Sequence, residues 1–301
     1  MKYFSLSLLL ATVAVTIACG DTHTTTSVPS FAARNGSTNT ATLNSVNLTT
    51  KKATALAIPI PASGVDYVTL SNDAKTAAYC KTSGSNTDIF LMTSSGTEKQ
   101  LTTNADVCQP QFSADGKTLI AVHPWSAGPP NSVVSIPVAT GTPKTLVSTP
   151  GSTFTYWNPS FSPDGKSFLF FYGDPVTSAN SGLYVMSATG TTPTQVHSQT
   201  ETWAPAAFSA DGTLIYLSTT GSPRQINSIK LDGSGLTPLT TSATDSLCPR
   251  LFGASILYSV WNTPNNRFDL YSMGKTGANP TLLASDATNY NESDDRCWEQ
   301  Y

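Results

Sequence analysis

One segment of the chain recurs, and a recurring unit of this size limits the fold more than any other feature of the sequence. "NPSFSPDGKSFLFF" begins at Asn158, "QPQFSADGKTLIAV" at Gln109 and "APAAFSADGTLIYL" at Ala204. "VTLSNDAKTAAY", from Val68, is a weaker copy with Ala74 where the others have glycine. "CPRLFGASILYSV", from Cys248, keeps the proline and the apolar pattern without the Asp-Gly. Ser71, Ser113, Ser162 and Ser209 are spaced by 42, 49 and 47 residues. After each copy comes an alternating strand ("DIFLMTSSG", "SVVSIPVATG", "GLYVMSATG", "INSIKLDGSG", "DLYSMGKTG"). It ends at a glycine turn and leads into a short last strand such as "EKQLT" or "PTQVH". Four short β segments per repeat, with no helical periodicity, predict an all-β chain of four-stranded blades arranged as a propeller.

Within a blade, the Ser-Pro-Asp-Gly segment reads as the turn from the innermost strand to the second, not as a catalytic or metal site. Pro163 presets φ at the first corner, Asp164 tolerates the next, and Gly165 takes the left-handed conformation that ends such a hairpin. Ser162 caps the turn with its hydroxyl. Asp73, Asp115 with Gly116, and Asp211 with Gly212 have the same structural role. Phe161, Phe168 and Phe170 are expected to wedge between neighbouring blades.

The N-terminus carries different information. Lys2 and the apolar run "FSLSLLLATVAVTIA" form a secretion signal too short to span a bilayer. Ala18-Cys19-Gly20 resembles a bacterial lipoprotein cleavage site, with Thr16 as a departure from the usual pattern. This makes residues 1–18 a signal peptide and Cys19 the lipidated residue. An ordinary signal peptide with an incidental cysteine is the alternative. Residues 19–43 are polar and low in complexity, and are expected to be a flexible tether. Residues 44–301 are expected to form the propeller. The implied location is the bacterial cell envelope, lipid-anchored, on its periplasmic or cell-surface side. A formal net charge of -3, with charged residues at 12%, argues against a nucleic-acid partner, which needs a basic stripe.

The repeat resembles that of the TolB-like, WD-repeat-like β-propellers of bacterial envelopes. Pro159, Phe161, Ser162 to Lys166 and "LYVMSATG" match the family unit closely. The resemblance implies an envelope scaffold and a six-bladed ring. The chain offers material for a sixth blade in "LNSVNLTTKKATALAIP" ahead of the first copy and "NYNESDDRCWEQY" after the fifth. That blade would be closed by both chain ends and would leave no exposed edge. A five-bladed ring is the alternative. Two departures set the chain apart from TolB: no α/β domain fits ahead of the propeller, and TolB is soluble.

Apart from Cys19 there are four cysteines, an even number that favours disulfides in an exported chain. The blade frame suggests Cys80 with Cys108, and Cys248 with Cys297 at equivalent positions of adjacent blades. Four free thiols are the alternative. None has zinc-ligand spacing.

No G-x-S-x-G, H-E-x-x-H or G-x-G-x-x-G motif is present, and His23, His123 and His197 share no site. The loops entering the inner strands carry Asp66, Asp106, Glu201, Asp245, Asp294 and Asp295, interleaved with Tyr156, Trp157, Trp203 and Trp298. In a propeller these loops share one face around the channel. An acidic face with aromatic walls suits a cation, a basic peptide segment or a sugar. In the plainer alternative, the acids are solvated and the tryptophans pack between blades. No cofactor is implied, although converging carboxylates admit Ca²⁺ in the channel. The expected function is a monomeric, membrane-anchored, non-enzymatic scaffold that binds an envelope protein or peptide. The alternative is a propeller lyase or hydrolase acting on carbohydrate or peptide at the channel mouth.

Overall fold

The computed structural model describes residues 30–35, 40–47, 52–55, 58–61, 64–83, 86–124, 131–148, 155–173, 181–198, 205–252, 255–265 and 267–284. Among them, five antiparallel four-stranded sheets follow one another along the chain, after a three-stranded sheet of β1 (Ser30–Asn35), β2 (Thr40–Asn47) and β3 (Lys52–Ala55). Blade 1 is β4 (Val65–Leu70), β5 (Thr76–Ser83), β6 (Asn86–Thr93) and β7 (Glu98–Gln100). Blade 2 is β8 (Cys108–Phe112), β9 (Thr118–His123), β10 (Ser132–Pro137) and β11 (Lys144–Ser148). Blade 3 is β12 (Thr155–Phe161), β13 (Ser167–Gly173), β14 (Gly182–Ser187) and β15 (Thr194–His197). Blade 4 is β16 (Ala207–Phe208), β17 (Leu214–Thr219), β18 (Gln225–Lys230) and β19 (Thr237–Pro238). Blade 5 is β20 (Ser246–Phe252), β21 (Ser255–Asn262), β22 (Arg267–Gly274) and β23 (Thr281–Ala284).

The cores lie between blades, and the second strands are apolar on both sides for that reason. In β13, Phe168 and Phe170 pack with Ile120 and Val133 of blade 2. The residues alternating with them, Leu169 and Phe171, pack with Phe208, Ile215 and Leu217 of blade 4. All four are at most 1% exposed, and each contributes about 1.5–3 kcal/mol by burial. The continuous Phe-Leu-Phe-Phe run is thus a strand covered on both faces. The same division recurs between blades 1 and 2 and between blades 4 and 5.

The Ser-Asp-Gly turns have the expected geometry. Ser162 Oγ donates to Asp164 Oδ1 at 2.7 Å and accepts from Ser167 N at 2.9 Å, while Lys166 N donates to Asp164 Oδ1 at 3.0 Å. Gly165 closes the turn through its N–H to Ser162 O at 2.9 Å, with φ of 68°. Blade 1 forms the same turn with Ala74 forced to φ of 54°. A second turn, after the third strand, touches the preceding blade. In blade 2, a β-carbon built on Gly141 would lie 1.9 Å from the carbonyl oxygen of Leu101, just past β7 of blade 1.

Two expectations are corrected. The described residues contain five four-stranded blades, the alternative count, and not six. The additional sheet is three-stranded and built entirely from the N-terminal segment, with β3 beside β23. The C-terminal strand expected to complete it, within "NYNESDDRCWEQY", lies outside the described residues. The stretch read as a tether also contains β1 and the start of β2, paired from Ser30↔Ser45 to Asn35↔Thr40. Few large apolar residues argued for a tether, but a short sheet needs only backbone pairing and β-tolerant Thr and Val.

Candidate functional site

The blades converge at their inner strands, where the chain repeats a strained feature. Pairing with the second strand shifts register between Asp66 and Thr69, Cys108 and Gln111, Trp157 and Ser160, and Leu247 and Arg250. The first bulged residues, Tyr67, Gln109, Asn158 and Cys248, have φ of 49°, 56°, 48° and 60°. A non-glycine residue in this region costs about 1–2 kcal/mol, so the surroundings must hold it there. Neighbouring blades supply the restraint. Asn158 N donates to Gln109 Oε1 at 2.8 Å, and Cys248 N donates to Ser218 Oγ at 3.1 Å.

After these four bulges, and at the aligned position of blade 4, the chain presents one equivalent residue per blade: Thr69, Gln111, Ser160, Ala207 and Arg250. Each precedes an apolar residue (Leu70, Phe112, Phe161, Phe208, Leu251) that packs into a hydrophobic core. Gln111 Oε1 accepts from Thr69 Oγ1 at 3.5 Å and from Arg250 Nη1 at 3.2 Å. Blades 2 and 5 are not neighbours along the ring, so the bond between Gln111 and Arg250 spans its centre. Three of the five positions thus meet at this hub. Burial pulls the Arg250 pKa down to about 10, which leaves it a cation at neutral pH.

The predicted face is distributed unevenly. Asp66 is exposed beside the bulge at Tyr67. Asp106, half-buried with φ of 49°, lies in a loop pinned from below by Asp88. The buried Asp88 carboxylate accepts from Thr102 Oγ1 at 2.8 Å and from the N–H groups of Asn104 and Ala105, each at 3.0 Å. Gln225 has the corresponding place in blade 4, accepting from Thr240 Oγ1 at 2.8 Å and Ser242 N at 3.0 Å. Asp245 is an anchor: Oδ1 accepts from Arg224 N at 2.8 Å, and Oδ2 pairs with the Arg224 guanidinium through Nε, at 2.9 Å, and Nη2. Tyr156 is 2% exposed and packs on Phe170 and Tyr172. Trp157 packs against the core between blades 3 and 4. Both aromatics therefore follow the plainer alternative and pack between blades. Glu201, Trp203, Asp294, Asp295, Trp298 and Cys19 lie outside the described residues. Asp73, Asp115, Asp164 and Asp211 sit in turns at the other ends of their strands. Among the described residues, no group of three or more His, Cys, Asp or Glu is placed to hold a metal ion.

The Cys80–Cys108 bridge forms, with Cα atoms 5.4 Å apart, and fastens blade 1 to the inner strand of blade 2. Cys248 is also disulfide-bonded, while its expected partner, Cys297, lies outside the described residues. Asp88, Gln225, Gln111 and Arg250 were not anticipated as site residues. A signal for Arg250 was available: aligning "PQF", "PSF", "AAF" and "PRL" leaves one charged residue in that column.

No family model matches the chain, and no curated protein matches it in sequence. Solved structures do resemble it. TolB from Acinetobacter baumannii is 19% identical with a TM-score of 0.65, over 88% of this chain and 67% of that one. A protein assigned as TolB from Agrobacterium tumefaciens is 18% identical with a TM-score of 0.61, over 80% and 87%. An oligogalacturonate lyase in complex with manganese is 15% identical with a TM-score of 0.57, over 84% and 74%. At these identities the likeness establishes the fold, a TolB-like β-propeller.

Proposed function

We propose that this chain is a monomeric envelope scaffold that binds a protein or peptide partner at the mouth of its channel, without catalysing a reaction. The carrying observation is the rigid hub. Gln111 accepts from both Thr69 and Arg250, and loops of blades 1, 4 and 5 are held by buried Asp88 and by the Arg224–Asp245 pair. A preorganised rim loses little entropy on binding. The resemblance to TolB supports an envelope location, with Cys19 as the lipid anchor.

The test is site-specific photocrosslinking in intact cells, with the photoreactive residue at Asp66 or Asn158 on the mouth and at Lys99 on an outer strand. A discrete adduct from the mouth positions alone is the expected result; adducts from Lys99 alone would overturn it. The competing reading is a propeller enzyme, favoured by the likeness to a lyase and by a cation in the channel. Turnover of acidic oligosaccharides or peptides by the purified protein, abolished in Arg250→Gln, would establish that reading. For the anchor, Cys19→Ser should move the protein from the membrane fraction to the soluble one.

A further inference from the structure

We infer that the face of blade 5 turned away from blade 4 is a docking site for the chain's own C-terminal segment. There Ser259 Oγ accepts the backbone N–H of Cys297, and Cys297 is bridged to Cys248. The segment itself, residues 285–301, lies outside the described residues. The carrying observation is Ser259, which is 0% exposed and whose Oγ finds no hydrogen-bond partner among the described residues. A buried hydroxyl without a partner is costly and rare in a folded protein. Register supplies its counterparts in other blades. Leu257 pairs with Arg250 as Ala78 pairs with Thr69 and Tyr216 with Ala207, which aligns Ser259 with Cys80 and Ser218. Both counterparts reach into the blade that follows. Cys80 is bridged to Cys108 of blade 2, and Ser218 Oγ accepts from Cys248 N of blade 5 at 3.1 Å. Ser259 is the blade 5 copy of this contact, placed to receive a further inner strand.

The rest of blade 5 agrees. Ile256 and Tyr258 face blade 4, so Leu257, Ser259 and Leu270, which pairs with Ser259, face away from it. Leu257 and Leu270 are nonetheless only 7% and 2% exposed. Inner strands pack on the preceding blade, β8 on β4 and β5, β12 on β8 and β9, and β20 on β17 and β18. Among the described residues, no comparable packing joins β4 to β20 or β21, and the N-terminal sheet meets blade 5 at its outermost strand, where β3 lies beside β23. Asp269 stands in the place of Asp88 and Gln225, which hold the loops leading to the next inner strands.

The cysteines select the occupant. Cys248 is disulfide-bonded, and with Cys80 and Cys108 paired to each other, Cys19 and Cys297 are its two possible partners. Cys248 is the bulged residue of its strand, equivalent to Gln109, whose side chain accepts from N of the next bulged residue, Asn158, at 2.8 Å. A side chain at this position therefore points at the bulge of the following strand. Cys297 fits that bulge, because it follows Asp294 at the spacing with which Cys248 follows Asp245. The chain from Ala284 to Cys297 is longer than the returns from Gln100 to Cys108 and from Pro238 to Cys248, so it reaches from the outermost strand to the hub. Forming the bridge takes two electrons and two protons from the two thiols, which oxidised glutathione accepts as it is reduced to two thiols. Docking brings Asp294, Asp295 and Trp298 beside the channel mouth.

The experiment is peptide mapping and hydrogen exchange on the full chain under oxidising conditions. Mapping without reduction is expected to give a Cys248–Cys297 peptide from a monomer. A Cys19–Cys248 peptide, or a bridge between two copies that runs as a dimer on a non-reducing gel, would overturn the inference. Amide exchange at Cys297 then tests Ser259. Ser259→Ala is expected to speed it about fivefold, in line with the loss of one hydrogen bond. Ser218→Ala should speed exchange at Cys248 by a similar factor and so calibrates the effect. A Cys248 amide that responds to Ser218→Ala, beside a Cys297 amide that ignores Ser259→Ala, overturns the docking site. Should Ser259→Ala fail to fold, the wild type decides. Exchange at Cys297 slowed about a hundredfold or more supports docking, and exchange at the rate of an unstructured chain refutes it.

Discussion

Changing Gly141 to alanine separates two effects that most glycine substitutions mix. Gly141 and Gly165 share nearly the same backbone strain, with φ of 70° and 68°. Their surroundings differ. A β-carbon at Gly165 meets nothing within 4 Å, whereas one at Gly141 would lie 1.9 Å from Leu101 O and 2.9 Å from Leu101 C. Gly165→Ala should cost only the left-handed penalty, about 1 kcal/mol. Gly141→Ala carries that penalty and must also push blade 2 away from the backbone of blade 1. Overpacking of this kind adds about 2 kcal/mol, for a total of about 3. At roughly 2–4 °C per kcal/mol for a domain of this order, melting should fall by about 3 °C for Gly165→Ala and about 9 °C for Gly141→Ala. Urea titration followed by circular dichroism at 25 °C measures both costs directly. Gly277 and Gly233 repeat the approach to a neighbouring blade, 2.5 Å from Leu239 O and 2.8 Å from Val196 O. The expected order of cost is therefore Gly141, Gly277, Gly233, Gly165. Equal losses at Gly141 and Gly165 would refute the claim that the third-strand turn is where adjacent blades touch.

The blade turns should make stability pH-dependent. Serine hydroxyls and backbone N–H groups hold the carboxyls of Asp73, Asp115, Asp164 and Asp211 below their ordinary range, with Asp211 lowered from 3.8 to about 2. A folded pKa below the unfolded value adds stability that is fully present above about pH 4 and lost as pH falls toward 2. Solvent screening reduces the share of exposed Asp211 to about 1 kcal/mol, and Asp211→Asn should flatten the acid limb of a melting-temperature profile by that amount. Asp245→Ala should destabilise by about 2 kcal/mol, because it removes a carboxylate that holds a half-buried guanidinium. In a double-mutant cycle with Arg224→Ala the losses should be far from additive, and additive losses would remove the anchor role. Replacing Cys80 and Cys108 together by serine opens a cross-link with a sequence separation of 28, which should cost about 3.5 kcal/mol by chain entropy and be read as a lower urea midpoint.

Local chemistry was legible in the sequence wherever one segment carries all of its own determinants. The Ser-Asp-Gly turn is closed by atoms two to five residues apart, so its repetition identified strands, blades and the propeller class. The Cys80–Cys108 bridge followed from the same frame, because both residues occupy defined places in consecutive repeats. Tyr156 and Trp157 were less legible. Alternation along a strand says that a residue is buried, but not whether it faces the channel or the next blade. The extra three-stranded sheet was legible in part: β2 and β3 fall in the segment read as strands of a further blade, whereas β1 lies in the stretch that composition assigns to a tether.

The sequence by itself determined the period, the all-β class, the turn that defines each blade and one of its cross-links. Only the tertiary structure decided what stands at the centre. Arg250 and Gln111 are 139 residues apart, and they meet because closing the ring brings blades 2 and 5 to a common axis. The packing of blade 5 on blade 4, in turn, makes Asp245 an anchor for Arg224. Short-range hydrogen bonds are written in neighbouring residues, whereas the identity of a channel depends on which strands the ring points at one another.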